Sequence, residues 1–323
     1  MTAVSLRPSG LGVVGERTHR SGWPYAVRAL EPLMSADAPV LLDDFVDRTF
    51  LFGAYRDRGI VHSSPWIGIC HHPWKPPGGF GQGLSTLATL PAWRESLPHL
   101  KLVVVLARHL APKLRRQWGV PCLTLRHPSE VPALTWSPDA FERNPARKLI
   151  QIGSYLRNTH AIHQAPAPAW LEKVRLNQSS AWAEATRARC KAVFAHRPDR
   201  GAVTELDRVD APAYDRLLSE NLVFLELLDA SATNTIVECI ARNTPVLVNR
   251  LPGPEFYLGP DYPLFYDDIA EVEALLTPER ILAAHRHLQA LPKDWLSAEA
   301  FAQSLARGCL DLVPELWPAN SGP

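Results

Sequence analysis

Residues 229–259 read DASATNTIVECIARNTPVLVNRLPGPEFYLG, and they follow the apolar run NLVFLEL at 221–227. The apolar run predicts a buried strand that leads into a loop of small and hydroxylated residues. The pattern from Thr233 to Arg242 predicts a helix, and TPVLVNR at 244–250 predicts the next strand. A strand, a helix and a second strand in this order are typical of an α/β protein with a parallel sheet.

The start of the predicted helix has the features of a phosphate site. A helix start offers unpaired backbone N–H groups and the positive end of the helix dipole, and here it lies at the carboxyl end of a parallel strand. The small and hydroxylated residues beside it are Ser231, Thr233, Asn234 and Thr235. Glu238 follows about one helical turn later, where its carboxylate would reach ribose hydroxyls. We expect the following loop, LPGPE at 251–255, to bring Glu255 beside the same pocket.

Outside this stretch, short apolar runs alternate with helical patterns. They predict strands from LGVVG at 11–15 onward, a helix at 170–176 and a strand at 190–196. Two sequence positions have the features of helix N-caps, Thr277 before Pro278 and Ser297 before the last helix. The fold class predicted from this alternation is α/β.

The stretch SEVPALTWSPDAFERNPAR at 129–147 is rich in proline and polar residues, which favours a domain boundary. Two halves rich in strand–helix units are therefore expected. The domain assignment is an N-terminal domain over 1–135, a C-terminal domain over 146–296, and a final helical segment over 297–323 that is expected to cross back to the first domain.

Composition excludes several classes of protein. The 34 basic and 33 acidic residues give a formal charge of +1, without the basic excess of a nucleic-acid binder. The longest strongly apolar run, LVVVLA at 102–107, falls far short of the about 20 residues that a membrane-spanning helix needs. The 5 cysteines are scattered without a Cys-x-x-Cys pair, which disfavours a zinc site and favours reduced thiols. With no secretion signal at its N-terminus, the chain is expected to be cytoplasmic.

The order of segments in 229–259 resembles the donor-binding half of GT-B glycosyltransferases, most closely the retaining family-4 type. The resemblance rests on Glu-Cys-Ile-Ala in the helix, then Asn-Thr-Pro-Val-Leu-Val, then Pro-Gly-Pro-Glu. It implies a GT-B-like fold in which two Rossmann-type domains face an interdomain cleft. It also implies that Glu238 holds the donor ribose, with Gly253 and Glu255 in the following loop. KLIQIGSYLRN at 148–158 resembles the strand that opens the C-terminal domain, which makes Arg157 the residue that grips the donor diphosphate.

In the N-terminal half, the first strand–helix loop carries Gly15, Glu16 and Arg17. In a GT-B enzyme this loop faces the cleft, so we expect these residues to contact the donor phosphate or the acceptor. CHHPW at 70–74 ends a predicted strand, and His71 or His72 would touch an acceptor hydroxyl. Adjacent residues of an extended chain point to opposite sides, so at most one of the two is expected inside. No metal or cofactor is expected, because GT-B enzymes generally need no bound metal and the chain has no Asp-x-Asp motif.

The resemblance implies a glycosyltransferase that moves a sugar from a nucleotide-sugar donor to an unknown acceptor with retention of configuration. Arg157, His71 and His72 are its candidate catalytic residues. The alternative is a non-catalytic GT-B-like protein that binds a nucleotide or a partner. Two departures from the family motivate it: Ala230 stands at the place of the family's first glutamate, and Ile162 stands at the place of its lysine.

Overall fold

The computed structural model describes residues 4–12, 21–177 and 180–318. The chain divides into two compact units: unit 1 comprises Met1–Glu130 together with Asp294–Pro323, and unit 2 comprises Val131–Lys293. None of the helices in the described ranges combines the length and the apolar character that crossing a membrane requires.

The strands, in chain order, are β1 (Arg7–Pro8), β2 (Leu41–Asp43), β3 (Trp66–Cys70), β4 (Leu100–Val105), β5 (Cys122–Thr124), β6 (Lys148–Ile152), β7 (Glu172–Leu176), β8 (Thr204–Leu206), β9 (Leu222–Leu225), β10 (Val246–Asn249) and β11 (Phe265–Tyr266). The helices are α1 (Trp23–Leu30), α2 (Val46–Leu51), α3 (Gly53–Arg56), α4 (Pro91–Ser96), α5 (Ala111–Trp118), α6 (Pro138–Arg143), α7 (Ala161–Gln164), α8 (Ala181–Val193), α9 (Ala211–Ser219), α10 (Asn234–Arg242), α11 (Pro252–Leu258), α12 (Val272–Leu275), α13 (Pro278–Ala290) and α14 (Ala298–Leu312).

Unit 1 is built on a 5-stranded sheet in the order β1-β2-β3-β4-β5, in which every pair is parallel. Strands β3 and β4 form its centre, and their side chains are almost all buried. Helix α2 approaches β3 so closely that a Cβ on Gly68 would lie 2.6 Å from Cγ2 of Val46. The C-terminal helix α14 packs against α1 within the same unit.

Unit 2 is built on a 6-stranded parallel sheet in the order β11-β10-β9-β6-β7-β8. From β6 the chain continues through β7 and β8 on one side, and β9 then returns to the other side of β6. The sheet therefore reverses its strand order between β6 and β9. In open α/β sheets, ligands bind outside the carboxyl ends of the strands at such a reversal.

The predicted α/β class is confirmed, because each unit is a parallel sheet with its connecting helices. Two local predictions were wrong, and a third falls mostly outside the described residues. The first strand of the described part of the chain is β1, and residues 11 and 12 of the predicted strand 11–15 are not in a strand, whereas residues 13–15 lie outside the described ranges. Residues 170–176 were predicted as a helix, but most of them form β7. Residues 190–196 were predicted as a strand, but they begin inside α8.

The error at β7 has a physical cause. Its sequence EKVRL carries long charged side chains that favour a helix when they are solvated. In the folded unit these charges have partners: Lys173 donates to the carbonyl of Ala165 at 3.2 Å, and Arg175 pairs with Glu205 at 2.8 Å. Tertiary bonds therefore allow a charged sequence to form an inner strand.

Candidate functional site

The reversal point of unit 2 brings two loops side by side. The loop after β6 and the loop after β9 form an isolated antiparallel bridge between Arg157 and Leu227. The backbone N–H of Asn158 donates to the backbone carbonyl of Glu226 at 2.8 Å. The backbone N–H of Leu228 donates to the backbone carbonyl of Leu156, also at 2.8 Å. Arg157, which was predicted to bind the donor diphosphate, thus lies beside the loop that was predicted to bind phosphate.

Arg157 is anchored at this junction. Its Nη1 donates to the carbonyl of Ile152 at 2.7 Å, and its Nη2 donates to Oγ1 of Thr235 at 3.2 Å. The residue is 9% exposed, and burial lowers the pKa of its guanidinium below the ordinary value, while nearby Tyr214 and Glu238 act in the opposite direction. Its Nε is buried and has no hydrogen-bond partner among the described residues. One donor of the guanidinium therefore has no partner among the described residues at the reversal point.

The first turn of α10 carries the predicted phosphate residues. Thr233 is the N-cap residue, and no side chain caps the helix there. The hydroxyl of Ser231 is buried and has no partner within the described part of the chain. Thr235 is buried, and its hydroxyl oxygen accepts the hydrogen bond from Arg157, while Asn234 is partly exposed. The structure thus assembles an uncapped helix start, an unused hydroxyl and a fixed cation, which is a combination suited to an anion.

Glu238 lies on the buried side of α10. It is 2% exposed, and its Oε2 accepts a hydrogen bond of 2.6 Å from the hydroxyl of Tyr214 on α9. Burial, reinforced by Glu238 itself, raises the pKa of Tyr214 well above its ordinary value, so the phenol is a donor at neutral pH. The carboxylate is also within electrostatic reach of Arg157. Its contact with ribose stays a prediction.

The two residues predicted in the next loop have different surroundings. Gly253, in the first turn of α11, packs directly against the loop after β9. A Cβ there would lie 2.6 Å from the carbonyl oxygen of Ala230 and 2.8 Å from that of Ser231, so only glycine fits. Glu255 instead forms a partly exposed ion pair with Arg250 at 3.0 Å. The structure therefore joins Gly253 to the candidate phosphate loop and pairs Glu255 with a neighbouring cation.

A buried polar network beside this site was not predicted. Nδ2 of Asn158 donates to Oε2 of Glu226 at 2.8 Å, and Arg197 pairs with Oε1 of the same carboxylate at 2.6 Å. Gln151 donates to the carbonyl of Asn158 at 2.6 Å. The network fixes the loop that carries Arg157. The signal in the sequence was a glutamate directly after the apolar strand β9 and an asparagine directly after the arginine.

In unit 1, His71 and His72 follow β3 as predicted. Asp47 of α2 accepts the backbone N–H of His71 at 2.7 Å and that of His72 at 3.1 Å. The His71 ring stacks on Phe45 with ring centres 3.8 Å apart and meets the edge of Trp23 at 4.2 Å. Burial, together with neighbouring His127, lowers the pKa of His71 well below its ordinary value, so this ring is neutral at neutral pH.

The His72 ring has its own protein partner, because its Nδ1 lies 2.9 Å from the carbonyl oxygen of Gln82. His72 as a residue is 7% exposed. The role of either histidine toward an acceptor stays a prediction. Gly15, Glu16 and Arg17, which were predicted to contact the donor phosphate or the acceptor, lie outside the described residues.

A group of buried charges in unit 1 was also missed. Arg48 is fully buried and pairs with Asp44 at 2.9 Å and with Asp43 at 3.4 Å. Asp43 in turn lies 2.9 Å from Nε2 of His62. Burial raises the pKa of Asp44 above its ordinary value. The segment DDFVDR at 43–48 was the available signal. Across the ranges that the structure describes, no group of His, Cys, Asp and Glu side chains has the arrangement of a metal site.

Comparison with known proteins gives a likeness of fold. No protein-family model and no curated protein matches the chain. Among solved structures, sucrose-phosphate synthase from Thermosynechococcus elongatus has a TM-score of 0.60 at 17% identity over 86% of this chain and 74% of its own. Trehalose-6-phosphate synthase from Burkholderia multivorans has a TM-score of 0.55 at 12% identity over 93% and 76%.

An E. coli structure described as trehalose-6-phosphate bound with UDP-2-fluoro glucose has a TM-score of 0.52 at 11% identity, over 92% of this chain and 77% of its own. These structures are GT-B glycosyltransferases of the retaining type. At such identities the likeness concerns the fold. The expected resemblance is confirmed at that level: the chain has a GT-B-like fold made of two Rossmann-type units.

Proposed function

We propose that this protein is a glycosyltransferase that binds a nucleoside-diphosphate sugar in unit 2 and transfers the sugar to an acceptor. The observation that carries the proposal is the convergence of Arg157, Ser231 and the uncapped start of α10 at the reversal point between β6 and β9. A diphosphate needs such a set of donors. The UDP-2-fluoro glucose bound to the E. coli neighbour supports the choice of donor class.

Arg157 is the proposed electrostatic catalyst. Negative charge builds on the diphosphate as the sugar leaves, and a cation already fixed in place stabilises that charge without reorganising. The hydrogen bonds from Arg157 to Ile152 and Thr235 hold the guanidinium in one orientation. Its buried Nε would be the donor toward a diphosphate oxygen.

Glu238 is the proposed ribose ligand. A carboxylate accepts about four hydrogen bonds, so its bond from Tyr214 is compatible with a further bond from a ribose hydroxyl. Tyr214 would then act as a positioning residue, because its hydroxyl holds one carboxylate oxygen at 2.6 Å. Since Glu238 is 2% exposed, we expect the side chain to shift toward solvent when the nucleotide binds.

The acceptor would be held by unit 1, through His71 or His72. No side-chain nucleophile was identified from the sequence, and the proposal includes none. Configuration would be retained, with a donor phosphate oxygen taking the acceptor proton. The bond between the anomeric carbon and the diphosphate oxygen breaks, the bond to the acceptor oxygen forms, and the nucleoside diphosphate leaves.

The proposal is tested by calorimetric titration with UDP and UDP-glucose, followed by an assay of donor hydrolysis and of transfer to a panel of sugars and sugar phosphates. Glu238→Gln should weaken UDP binding about tenfold or more, because a charged hydrogen bond is lost. Glu273→Gln, at an exposed acid of the same unit, is the matched control and should leave affinity unchanged. Arg157→Lys should lower kcat more than it raises KM for the donor.

Three outcomes would contradict parts of the proposal or all of it. Unchanged affinity in Glu238→Gln would remove the ribose role of this residue. Tight UDP-glucose binding with neither hydrolysis nor transfer would support the alternative of a non-catalytic nucleotide-binding protein. Failure of a panel of nucleoside diphosphates and their sugars to bind would overturn the proposal.

A further inference from the structure

Unit 2 contains a cavity of about 570 Å³ at the opposite edge of its sheet from the candidate donor site. Arg147 and Trp170 line it just before β6 and β7 begin, whereas the candidate donor site follows the carboxyl ends of the strands. Trp136 and Phe141 form further aromatic walls, and α13 contributes Ile281 and others. A cavity of this size, mostly apolar with a few polar groups, is typical of small-molecule sites.

The guanidinium of Arg147 is held between aromatic rings in this cavity. Its central carbon lies 5.6 Å from the ring centre of Phe141 and 5.1 Å from that of Trp170. Its Nε is buried without a partner, and the described residues supply no ion pair to its side chain. A guanidinium beside aromatic faces keeps its N–H groups as hydrogen-bond donors. Arg147 is thus a cation packed beside two aromatic rings, with one buried donor that no described residue uses.

A second unused donor lines the same cavity. Trp136 is 2% exposed, and its indole Nε1 has no hydrogen-bond partner among the described residues. Its ring is packed against Phe141 and His285, with ring centres 5.4 Å and 4.7 Å apart. Buried indole N–H groups normally find a partner, because an unpaired buried donor is costly. Two buried donors without a partner among the described residues therefore belong to side chains that line the cavity.

The chemistry of these walls selects a class of ligand. Both buried unpaired groups are donors and one of them is cationic, so they favour an anionic acceptor such as a carboxylate. The aromatic and aliphatic walls favour a flat apolar body. Glu142 and Glu279 also line the cavity, but both are exposed, so solvent and salt screen their charges. We propose that this cavity is a binding site for small aromatic carboxylates, held by Arg147 and Trp136.

This proposal is independent of sugar transfer and is tested with 2-naphthoate, 2-naphthamide and 2-naphthylmethylammonium in calorimetric titrations. The acid should bind with 1:1 stoichiometry and about tenfold or more tighter than the neutral amide, and the ammonium should bind weakest. Trp136→Phe removes the indole donor together with part of the aromatic wall, and it should weaken binding of the acid by about tenfold. Its affinity for the amide should change less.

Arg147→Met should abolish the preference for the acid, while retained binding of the amide would show that the apolar walls are intact. Arg143→Met, at an exposed arginine of the same segment, is the control and should retain the preference. Equal binding of acid and amide to the unmodified protein would overturn the proposal, as would absence of binding by the acid. Loss of the preference in Arg143→Met as much as in Arg147→Met would also overturn it.

Discussion

The guanidinium of Arg157 occupies the space that a side chain on Gly153 would need. A Cβ placed on Gly153 would lie 1.4 Å from Nη1 of Arg157. Gly153 also has a φ of +78°, a conformation that costs other residues energy. The glycine that directly follows β6 therefore has two functions: it turns the chain, and it makes room for the candidate catalytic cation.

Gly153→Ala should consequently harm both stability and the donor site. We expect a loss of about 1–2 kcal/mol from the positive φ alone and a further loss because Arg157 is displaced. Gly201→Ala is the matched control, since Gly201 has a φ of +76° in the same unit but nothing within 4 Å of its Cβ position. Urea unfolding and UDP titration measure the two effects. Equal effects of the two substitutions would show that the contact with Arg157 has no consequence.

The buried ion pair between Arg242 of α10 and Asp215 of α9 supplies a second prediction. Arg242 is fully buried and Asp215 is 6% exposed. Arg242→Met leaves a buried carboxylate with one partner fewer and should lower the free energy of unfolding by about 3–5 kcal/mol. The double substitution Arg242→Met with Asp215→Leu should cost clearly less than the sum of the two single ones in urea unfolding. Additive costs would contradict the coupling.

His71 should make stability depend on pH. Burial keeps its native pKa well below the ordinary 6.5, so the unfolded chain binds a proton below about pH 6.5 that the native ring does not. Stability is thus present above this pH and is lost as the pH falls, by up to about 2 kcal/mol between pH 7 and 5. His71→Gln should reduce the slope measured by urea unfolding at several pH values. His196→Gln, at an exposed ring, controls for the exchange of side chains. A slope unchanged in His71→Gln would refute the assignment.

The cysteines should be unreactive in the native protein. All 5 are free and buried, and burial raises the pKa of Cys122 to about 12 and that of Cys309 to about 12. Since the thiolate is the reactive form, an aromatic disulfide reagent at pH 8 should label none until the protein unfolds, and then all five. Val193→Cys, at a position that is 52% exposed, should add one fast equivalent. Fast labelling of the unmodified protein would contradict this burial.

Local features of the sequence predicted the elements whose determinants are local. Thr277 and Ser297 cap α13 and α14 as expected, with side-chain oxygens that accept the backbone N–H of Arg280 at 3.3 Å and of Ala300 at 3.0 Å. Such caps depend on residues only three positions apart. Strand β7 was missed because its charged side chains obtain their partners from Ala165 and Glu205, which lie elsewhere in the chain.

The candidate donor site was partly predictable for the same reason. The small residues before α10 and the position of Arg157 after β6 were identified from the sequence. The hydrogen bond from Tyr214 to Glu238 joins two helices, and the fit of Gly253 against the carbonyl of Ala230 joins the start of α11 to the loop after β9. Neither relation follows from spacing, because each depends on how the helices and loops pack on the sheet.

By itself, the sequence determined the alternation of strands and helices, the α/β class, the likeness to GT-B proteins and the place of the loop before α10. These features depend on the spacing of apolar residues and on clusters of small residues, which are set within a few neighbouring positions of the chain. Only the tertiary structure decided which strands are neighbours. It also decided that the guanidinium of Arg157 fills the space beside Gly153 and that Glu238 is buried against Tyr214. It also assembled the cavity around Arg147 from distant segments. The physical reason is that strand order, burial and the partners of charged groups are properties of packed surfaces, which adjacent residues in the chain do not specify.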